Sequence, residues 1–418
     1  MHLTDEQENA VELCRDKSKT IVCITGQAGT GKTSTLRHVY DAIVQDFMDA
    51  DGLEKEQAED KIKLMAPTGR AAKRIEEATG IQATTIHRGL RFAVPEDDKD
   101  HSLPAHTKFN PMPWMVILVD EASMLSVELR RSLIDAMRRG AVIRFFGDIN
   151  QLPPVTRDDE APFSPFANDI QKYPSVYLTR NFRSTDGIIS LADRVIKNRM
   201  PLQNEQVTIH RIAGMSAKTL LMQIANKVDY TNEQNQIICP TRNTTYGTNE
   251  INRAIQQRFN TTKEKITVFK NEDGKPVPYS FKRNDKIIWI KNDYNVNLLN
   301  GTLGRVLDFD LESGTIYLNI DDRDVEIPSM MKTFNSTTGQ EYTYDPRQQL
   351  ELGYAITTHK AQGSQFDNVL FMLSRSRAAT RQNVYTAVTR AKFKLEIINI
   401  ANAMSYALDR LVNIYAKD

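Results

Sequence analysis

An apolar hexamer at Thr20–Thr25 (TIVCIT) runs directly into Gly26-Gln27-Ala28-Gly29-Thr30-Gly31-Lys32-Thr33, followed by a stretch of helical periodicity. Few folds accommodate that succession. A glycine-rich turn of this spacing, leaving a strand and opening a helix, satisfies the phosphate-loop pattern. Glycines let successive backbone N–H groups turn inward around phosphate oxygens, and the helix brings its positive dipole end to the same point. Lys32 is then placed to reach the β and γ phosphates of ATP and Thr33 to hold Mg²⁺. Gly26, Ala28, Gly29, Thr30, Gly31 and Ser34 complete the cradle. The bland alternative, a glycine-rich turn with no ligand, does not account for the strand before it and the helix after it.

The same grammar recurs. Lys63–Ala66 precedes PTGRAAKRI, Trp114–Val119 precedes DEASM, and Val142–Phe146 precedes GDINQLPP. Strand, loop and helix in alternation predict an α/β fold with a parallel sheet covered on both faces. A second set begins near Gln236–Cys239 and resumes at Gly353–Thr358, Asn368–Leu373 and Leu395–Ile400. With 418 residues, too many for one core, the chain is expected to form two doubly wound units. Asp120-Glu121 ends one of these strands, where an acid points into the crevice that holds metal and phosphate. Asp120 is the expected metal partner and Glu121 the expected base for the attacking water. Two regions break the pattern. Residues 91–112 are rich in proline and charge, and residues 281–346 alternate apolar and polar with turn signals at Asn300-Gly301 and Ser313-Gly314, as a small all-β insert would.

Composition excludes more than it selects. With 54 basic and 53 acidic residues the net charge is +1, so no global field announces a polyanion partner. The charge is uneven, however: residues 353–395 hold seven Lys or Arg and one Asp. A basic face on a neutral protein suffices for phosphate contacts. The three cysteines, Cys14, Cys23 and Cys239, lack metal-ligand spacing and read as buried free thiols. There is no apolar stretch of membrane-spanning length and no secretory signal, so a cytoplasmic location is expected, in a host's cytoplasm if the source is viral.

Nine short motifs, in order, then narrow the class. After Leu3-Thr4-Asp5-Glu6-Gln7 and the phosphate loop come Ala66-Pro67-Thr68-Gly69-Arg70, Thr84-Thr85-Ile86-His87 and Asp120-Glu121. Gly147-Asp148-Ile149-Asn150-Gln151, Asn181-Phe182-Arg183-Ser184, Thr357-Thr358-His359-Lys360-Ala361-Gln362-Gly363-Ser364 and Val384-Tyr385-Thr386-Ala387-Val388-Thr389-Arg390 follow. This series resembles the superfamily 1 DNA helicases, most closely the RecD/Dda group and within it the phage Dda type, over nearly the whole chain. The resemblance implies two RecA-like cores, with the nucleotide-binding core at 1–178 and the second at 179–280 and 347–418. It also implies an SH3-like insert at 281–346 and a wedge-type insert at 91–112.

It further implies that Gln7 reads the adenine edge and that Gln151 senses the γ-phosphate. Gln362 and Gly363 would lie at the nucleotide, and Arg183 and Arg390 would reach it from the second core as arginine fingers. No local element was expected to need the charge of Arg390. Gln365 stands where the family often has Glu, so its role is open. Pro67, Thr68, His87, Thr358 and His359 match positions that contact single-stranded DNA. For His87 a core histidine is the competing reading. Tyr294 reads equally as a base platform and as a core tyrosine. Trp289 reads as core. Phe92 and Phe109 are the two aromatic candidates for the wedge, against the alternative of a plain surface loop.

The function implied is ATP- and Mg²⁺-dependent translocation on single-stranded DNA, 5′-to-3′, with unwinding of forked duplexes in replication, recombination or repair. A monomer is expected, with a single-strand-binding or replication protein as partner. The rivals are a translocase that strips proteins without efficient unwinding and a P-loop ATPase or kinase acting on something other than nucleic acid.

Overall fold

The structure, a computed structural model, describes residues 3–92, 103–154, 163–182, 186–226, 228–272, 275–293, 295–320, 322–334 and 341–412. The chain divides into two compact units, the first running through Ile189 and the second from Ser190 to Arg410.

The first unit is built on six strands: Ile21–Gly26 (β1), Ile62–Ala66 (β2), Ala83–Thr85 (β3), Val116–Val119 (β4), Val142–Gly147 (β5) and Ser175–Leu178 (β6). They form one sheet in the order β3-β2-β4-β5-β1-β6, parallel throughout. β4 and β5 are buried along their whole length, as strands covered on both faces must be. Alternate side chains serve opposite layers. Val22 and Ile24 join Leu36, Val39, Ile43 and Phe47 of the helix Lys32–Asp51, whose apolar residues recur at three- and four-residue spacing. Cys23, Ile117 and Val119 face the other layer, with Leu129 and Leu133 of Val127–Asp135 and Phe166 and Ile170 of Pro165–Lys172.

One side chain in β5 breaks the apolar rule. Arg144 is fully buried, and its guanidinium donates to the carbonyls of Cys14 (2.7 Å), Asp16 (2.9 Å), Lys19 (2.7 Å) and Ile143 (3.1 Å). The first two acceptors lie at the C-terminal end of the helix Asp5–Arg15, where a cation is favoured by the dipole. Arg144 thus bolts the helix that carries Gln7 to the strand that leads into Gly147-Asp148.

The second unit has its own parallel sheet from Val207–Ile212 (β7), Asn235–Cys239 (β8) and three later strands. Between them runs antiparallel structure: Ile266–Glu272 (β9), Lys275–Phe281 (β10), Lys286–Trp289 (β11), Leu303–Phe309 (β12), Ile316–Ile320 (β13), Arg323–Ile327 (β14), Met331–Phe334 (β15), Glu341–Tyr344 (β16) and Leu350–Leu352 (β17). Ala355–Thr357 (β18), Phe366–Leu373 (β19) and Ala391–Ile400 (β20) complete the parallel sheet, in the order β18-β8-β19-β20-β7. The antiparallel strands form a five-stranded sheet β14-β13-β12-β11-β17 and two hairpins, β9–β10 and β15–β16. This β region is wider than the expected 281–346. Ile266, Val268 and Phe281 of the first hairpin share one core with Trp289, Val306, Ile316 and Leu350, so they belong to it physically. Trp289 is fully buried, a core residue as its apolar run implied. Cys14, Cys23 and Cys239 are buried and free. Among the described residues no helix is long and apolar enough to cross a membrane.

Candidate functional site

At the carboxyl end of β1 the chain turns through Gly29 and Gly31, both with positive φ (89° and 79°), a conformation that glycine adopts without steric cost. Gly31 has a second reason to lack a side chain. A Cβ there would lie 2.7 Å from Nε2 of Gln7 and 3.5 Å from the Phe182 ring. Gln7 is buried and held in a reciprocal cap, its Oε1 accepting from Thr4 N (3.1 Å) while Thr4 Oγ1 accepts from Gln7 N (3.3 Å). Its amide nitrogen is therefore fixed against the glycine-rich loop. Lys32 opens the helix and its Nζ donates to the carbonyls of Gly26 (2.7 Å) and Gln27 (2.9 Å).

β4 delivers the acids to the same end of the sheet. Asp120 is buried, its Oδ2 accepts from the Thr33 hydroxyl at 3.4 Å, and its Oδ1 accepts from Glu121 N at 2.8 Å. Burial, and then the neighbouring Glu121 charge, push the Asp120 carboxyl up to about 6, against the opposing pull of the Glu121 N–H, Lys32 and Arg74. Glu121 sits in the left-handed region (φ 52°), a strained conformation for a non-glycine residue. Its Oε1 lies 3.8 Å from Arg74, while its Oε2 is buried and accepts from no described residue. Gln151, at the end of the motif that follows β5, likewise keeps a buried Oε1 without a hydrogen-bond partner. Buried polar atoms are nearly always bonded. Two orphaned acceptors in the segments that follow the neighbouring strands β4 and β5 suit a polar ligand such as a phosphate-bound cation or a water. Thr33 and Asp120 supply the oxygen donors that Mg²⁺ takes.

One part of this site escaped the sequence reading. Asn181 Nδ2 donates to Ala28 O and Phe182 N to Gly29 O, both at 2.9 Å. Glu6 in turn accepts from the backbone of Thr179 at 2.7 Å and from its hydroxyl. Thr179–Phe182, expected to open the second core, therefore belongs with the loop and the first helix, in the compact unit that extends to Ile189. Arg183 lies outside the described residues.

In the second unit Thr358 corrects an expectation. It follows β18 and is fully buried, its hydroxyl donating to Asn383 Oδ1 (2.9 Å) with Cys239 O at 3.2 Å. A side chain so placed ties the strand to the helix Arg381–Val388 and presents no hydroxyl to a passing strand. His359 is half-buried, and burial lowers its pKa, which favours the neutral ring. Next to it Lys360 donates to Glu351 at 2.7 Å, and Arg242 pairs with the same carboxylate at 2.9 Å. Gln362 is buried and Gly363 has φ 71°.

Arg390 is a second correction. It is 2% exposed, and its guanidinium donates to Thr386 O (3.0 Å), Ser364 O (3.2 Å) and Thr389 Oγ1 (3.1 Å). Local structure does need this charge: it joins the segments 357–364 and 384–390 inside the second unit.

On the first unit Pro67 and Thr68 are half-buried, and the Thr68 hydroxyl caps the helix Gly69–Thr79 by accepting from Ala71 N at 3.2 Å. His87 is half-buried with its Nδ1 unbonded, and burial lowers its pKa. Its ring packs 5.0 Å from that of Phe92, so these two form one contact. Phe109 differs sharply. It is 87% exposed, beside Lys108, in a turn closed by Thr107–Asn110 pairing and by Asn110 Nδ2 donating to Ala105 O at 2.9 Å. Residues 93–102 and Tyr294 lie outside the described residues.

Comparison with known proteins agrees with this picture. The family model described as an AAA domain matches residues 7–157, and that of the UvrD-like helicase C-terminal domain matches 352–398. The ATP-dependent RecD2 DNA helicase of Deinococcus radiodurans is 30% identical over 412 residues, covering 97% of this chain and 50% of the relative. The RecD subunit of the RecBCD enzyme of Mycolicibacterium smegmatis is 25% identical over 444 residues, covering 97% of this chain and 73% of that one. The chain thus spans half the length of the Deinococcus relative. Among solved structures, the Bacteroides Pif1 helicase in complex with ADP-AlF3 and ssDNA superposes with a TM-score of 0.60 at 20% identity, over 95% of this chain and 92% of that one. Candida albicans Pif1 helicase gives 0.59 at 18% identity, over 97% of each. Fold and loop define a P-loop protein with two RecA-like parallel-sheet cores. The motif series resembles that of superfamily 1, and the relatives matched are helicases of RecD and Pif1 type.

Proposed function

We propose that this chain is an ATP-driven motor that moves along single-stranded DNA and opens forked duplexes. The observation that carries the reading is the nucleotide site: a glycine loop, Lys32, Thr33 beside Asp120, and a half-buried Glu121 whose buried Oε2 accepts from no described residue. Thr33 and Asp120 are the residues to hold Mg²⁺, which would supply charge neutralisation at the β and γ phosphates. Lys32 exchanges the carbonyls of Gly26 and Gln27 for phosphate oxygens. Gln7, fixed against Gly31, reads the nucleobase edge. Glu121 accepts the proton of the attacking water and Gln151 orients that water. Arg183, two residues after Asn181, is proposed as an arginine finger. Arg390 can act as a second finger only by leaving three hydrogen bonds, so its contribution is gated by rearrangement of its own unit.

For the strand, Pro67, Thr68, His87, Tyr294 and His359 are the contact candidates, with Lys360 next to His359 in the chain. Thr358 acts as an internal brace. Hydroxyls, amides and neutral imidazoles give contacts that carry no base readout, as a sequence-independent motor requires. Phe109, presented on a rigid turn, is the wedge aromatic, because Phe92 is engaged with His87. We further assign 5′-to-3′ polarity, a monomeric working form, an SH3-like character for the β region that begins at Ile266, and kinship with the Dda type in phage replication or recombination. The support for these is the motif order. The test is twofold. ATP hydrolysis should rise on adding single-stranded DNA, and 5′-tailed duplexes should be unwound in preference to 3′-tailed ones. Hydrolysis indifferent to DNA would refute the motor, and stimulated hydrolysis without unwinding would leave a translocase that strips proteins.

A further inference from the structure

The basic segment 353–395 contains three arginines, Arg375, Arg377 and Arg381, that the proposed nucleotide and strand sites leave unused, and Arg381 is spent on the Leu408 carbonyl. Arg375 and Arg377 lie between β19 and the helix Arg381–Val388. Arg375 borders a cavity of about 480 Å³ in the second unit, together with Arg211, Asn399, Asn402, Ser405 and Tyr406. Arg211 and Asn399 are register partners, each one residue from the carboxyl end of its strand, β7 and β20. The cavity therefore opens on the carboxyl edge of the parallel sheet, the edge where such sheets bind ligands.

Its chemistry is cationic and polar. The Arg375 guanidinium lies 5.7 Å from the Tyr406 ring centre and that of Arg410 lies 4.9 Å from it. Arg410 spends its donors on the carbonyls of Ser376 and Arg377, both at 3.2 Å, and on the Tyr406 hydroxyl. The side chains of Arg211 and Arg375 make no hydrogen bond or ion pair with any described residue. Asp409 is the one carboxylate in the lining. Asn399 is 3% exposed, and its Oδ1 accepts from Met404 N at 2.9 Å, which leaves its amide hydrogens for another acceptor.

We infer that this cavity is a second phosphate site, and that it takes the phosphodiester backbone of a nucleic-acid strand running on from the segment after β18. Two forked guanidiniums with amide and hydroxyl donors match phosphate oxygens. The lining offers one apolar side chain, Met200, too little to seat the hydrophobic anchor of an acidic peptide. Tyr406 is flanked by arginines, so the group bound is a phosphate and not a base. The segment Thr357–Gln362 leaves the carboxyl end of β18, and β18 and β7 are the two edges of one five-stranded sheet. Four interstrand steps of about 4.8 Å separate them, roughly 19 Å along one rim. The identity of the strand rests on the proposed function; the phosphate chemistry does not.

The test uses the intact chain, with Arg211 and Arg375 both changed to Gln. Binding of thymidine oligonucleotides of increasing length is measured against salt, and binding of inorganic tripolyphosphate is measured alone, with parent and variant both carrying Lys32→Ala so that the phosphate loop adds no signal. On long oligonucleotides the salt slope of the variant should fall by about 1.4, two contacts at about 0.7 each, while the shortest that bind are unaffected. Tripolyphosphate should bind the parent and not the variant. The double Arg→Lys variant, with unchanged circular dichroism, should recover part of both signals. Equal slopes and equal tripolyphosphate binding in parent and variant would overturn the site. Lost tripolyphosphate binding with unchanged slopes would overturn the strand as ligand and leave a free polyphosphate. Displacement by polyglutamate and not by tripolyphosphate would overturn the proposal in favour of an acidic protein. A parent that binds no DNA refutes the motor instead, and the tripolyphosphate measurement still reads the cavity.

Discussion

Replacing Arg390 with Ala should both unfold the second unit more easily and stop hydrolysis, and the two effects can be separated. The guanidinium makes three hydrogen bonds from a site with 2% exposure. A hydrogen bond from a charged donor contributes about 1.5–3 kcal/mol, but burying the charge cancels much of the sum. What the alanine leaves behind decides the net. The carbonyl of Ser364 loses its partner in a buried place, at about 1–3 kcal/mol, Thr386 O keeps the Thr389 hydroxyl at 3.0 Å, and the void left by the buried side chain adds about 2 kcal/mol. A total of about 3–5 kcal/mol follows, which for a unit of this size lowers its melting temperature by roughly 10 °C. Calorimetry resolves that shift. Hydrolysis, measured well below the melting transition, should fall by about 10³ if the residue also acts as a finger. Lys should restore little of either, since one ammonium cannot serve the three acceptors from the same fork. Melting within 2 °C of the parent would refute the buried network as the seat of Arg390. A normal rate in folded alanine variant would refute the finger.

Four further outcomes are expected. Lys32→Ala should abolish hydrolysis and leave single-strand affinity within a few-fold; normal turnover would remove the nucleotide site from this loop. Glu121→Gln should keep ATP binding and lose about 10²–10⁴ in rate, and simultaneous loss of binding would make Glu121 a structural residue. Arg144→Met should cost the first unit about 3 kcal/mol by stripping the helix-end carbonyls of their donor, with the melting of that unit as the readout and an unchanged transition as the refutation. His87 and His359 should titrate below 6.5 by NMR, because burial disfavours the charged ring. A depressed folded-state pKa means their stabilising contribution is complete above 6.5 and is lost as pH falls through the folded value. Titration at or above 6.5 would contradict the burial.

What could be read from sequence follows from the range of the interactions involved. The phosphate loop, the acids after β4 and the alternating strands are local patterns, each dictated by neighbours within a few residues. They therefore announced both parallel sheets and the approach of Thr33 to Asp120. Thr358 and Arg390 carry the same letters whether they face solvent or a core. Only packing, of Thr358 against Asn383 and of Arg390 against Ser364, decides which. Arg144 was illegible for the same reason: an arginine in the strand VIRFFG looks like an edge residue until three carbonyls from residues 14–19 close around it. The tether from Asn181 to Ala28 spans 153 residues, and no local pattern carries it. The β region outran its expected bounds because Ile266 and Val268 sit in a hairpin whose apolar face shows only in the shared core.

The three cysteines have a practical consequence. All are buried, and burial pushes the Cys14 thiol up to about 12 and the thiols of Cys23 and Cys239 higher still. Since the thiolate is the reacting species, these groups are silent toward maleimides and mild oxidants near neutral pH. A single cysteine introduced on an exposed position, at Val127 or Phe393 for instance, would be the reactive thiol without any native cysteine being removed. A fluorophore placed there reports on its own unit, in a chain whose own sulfur chemistry is kept out of reach by its two cores.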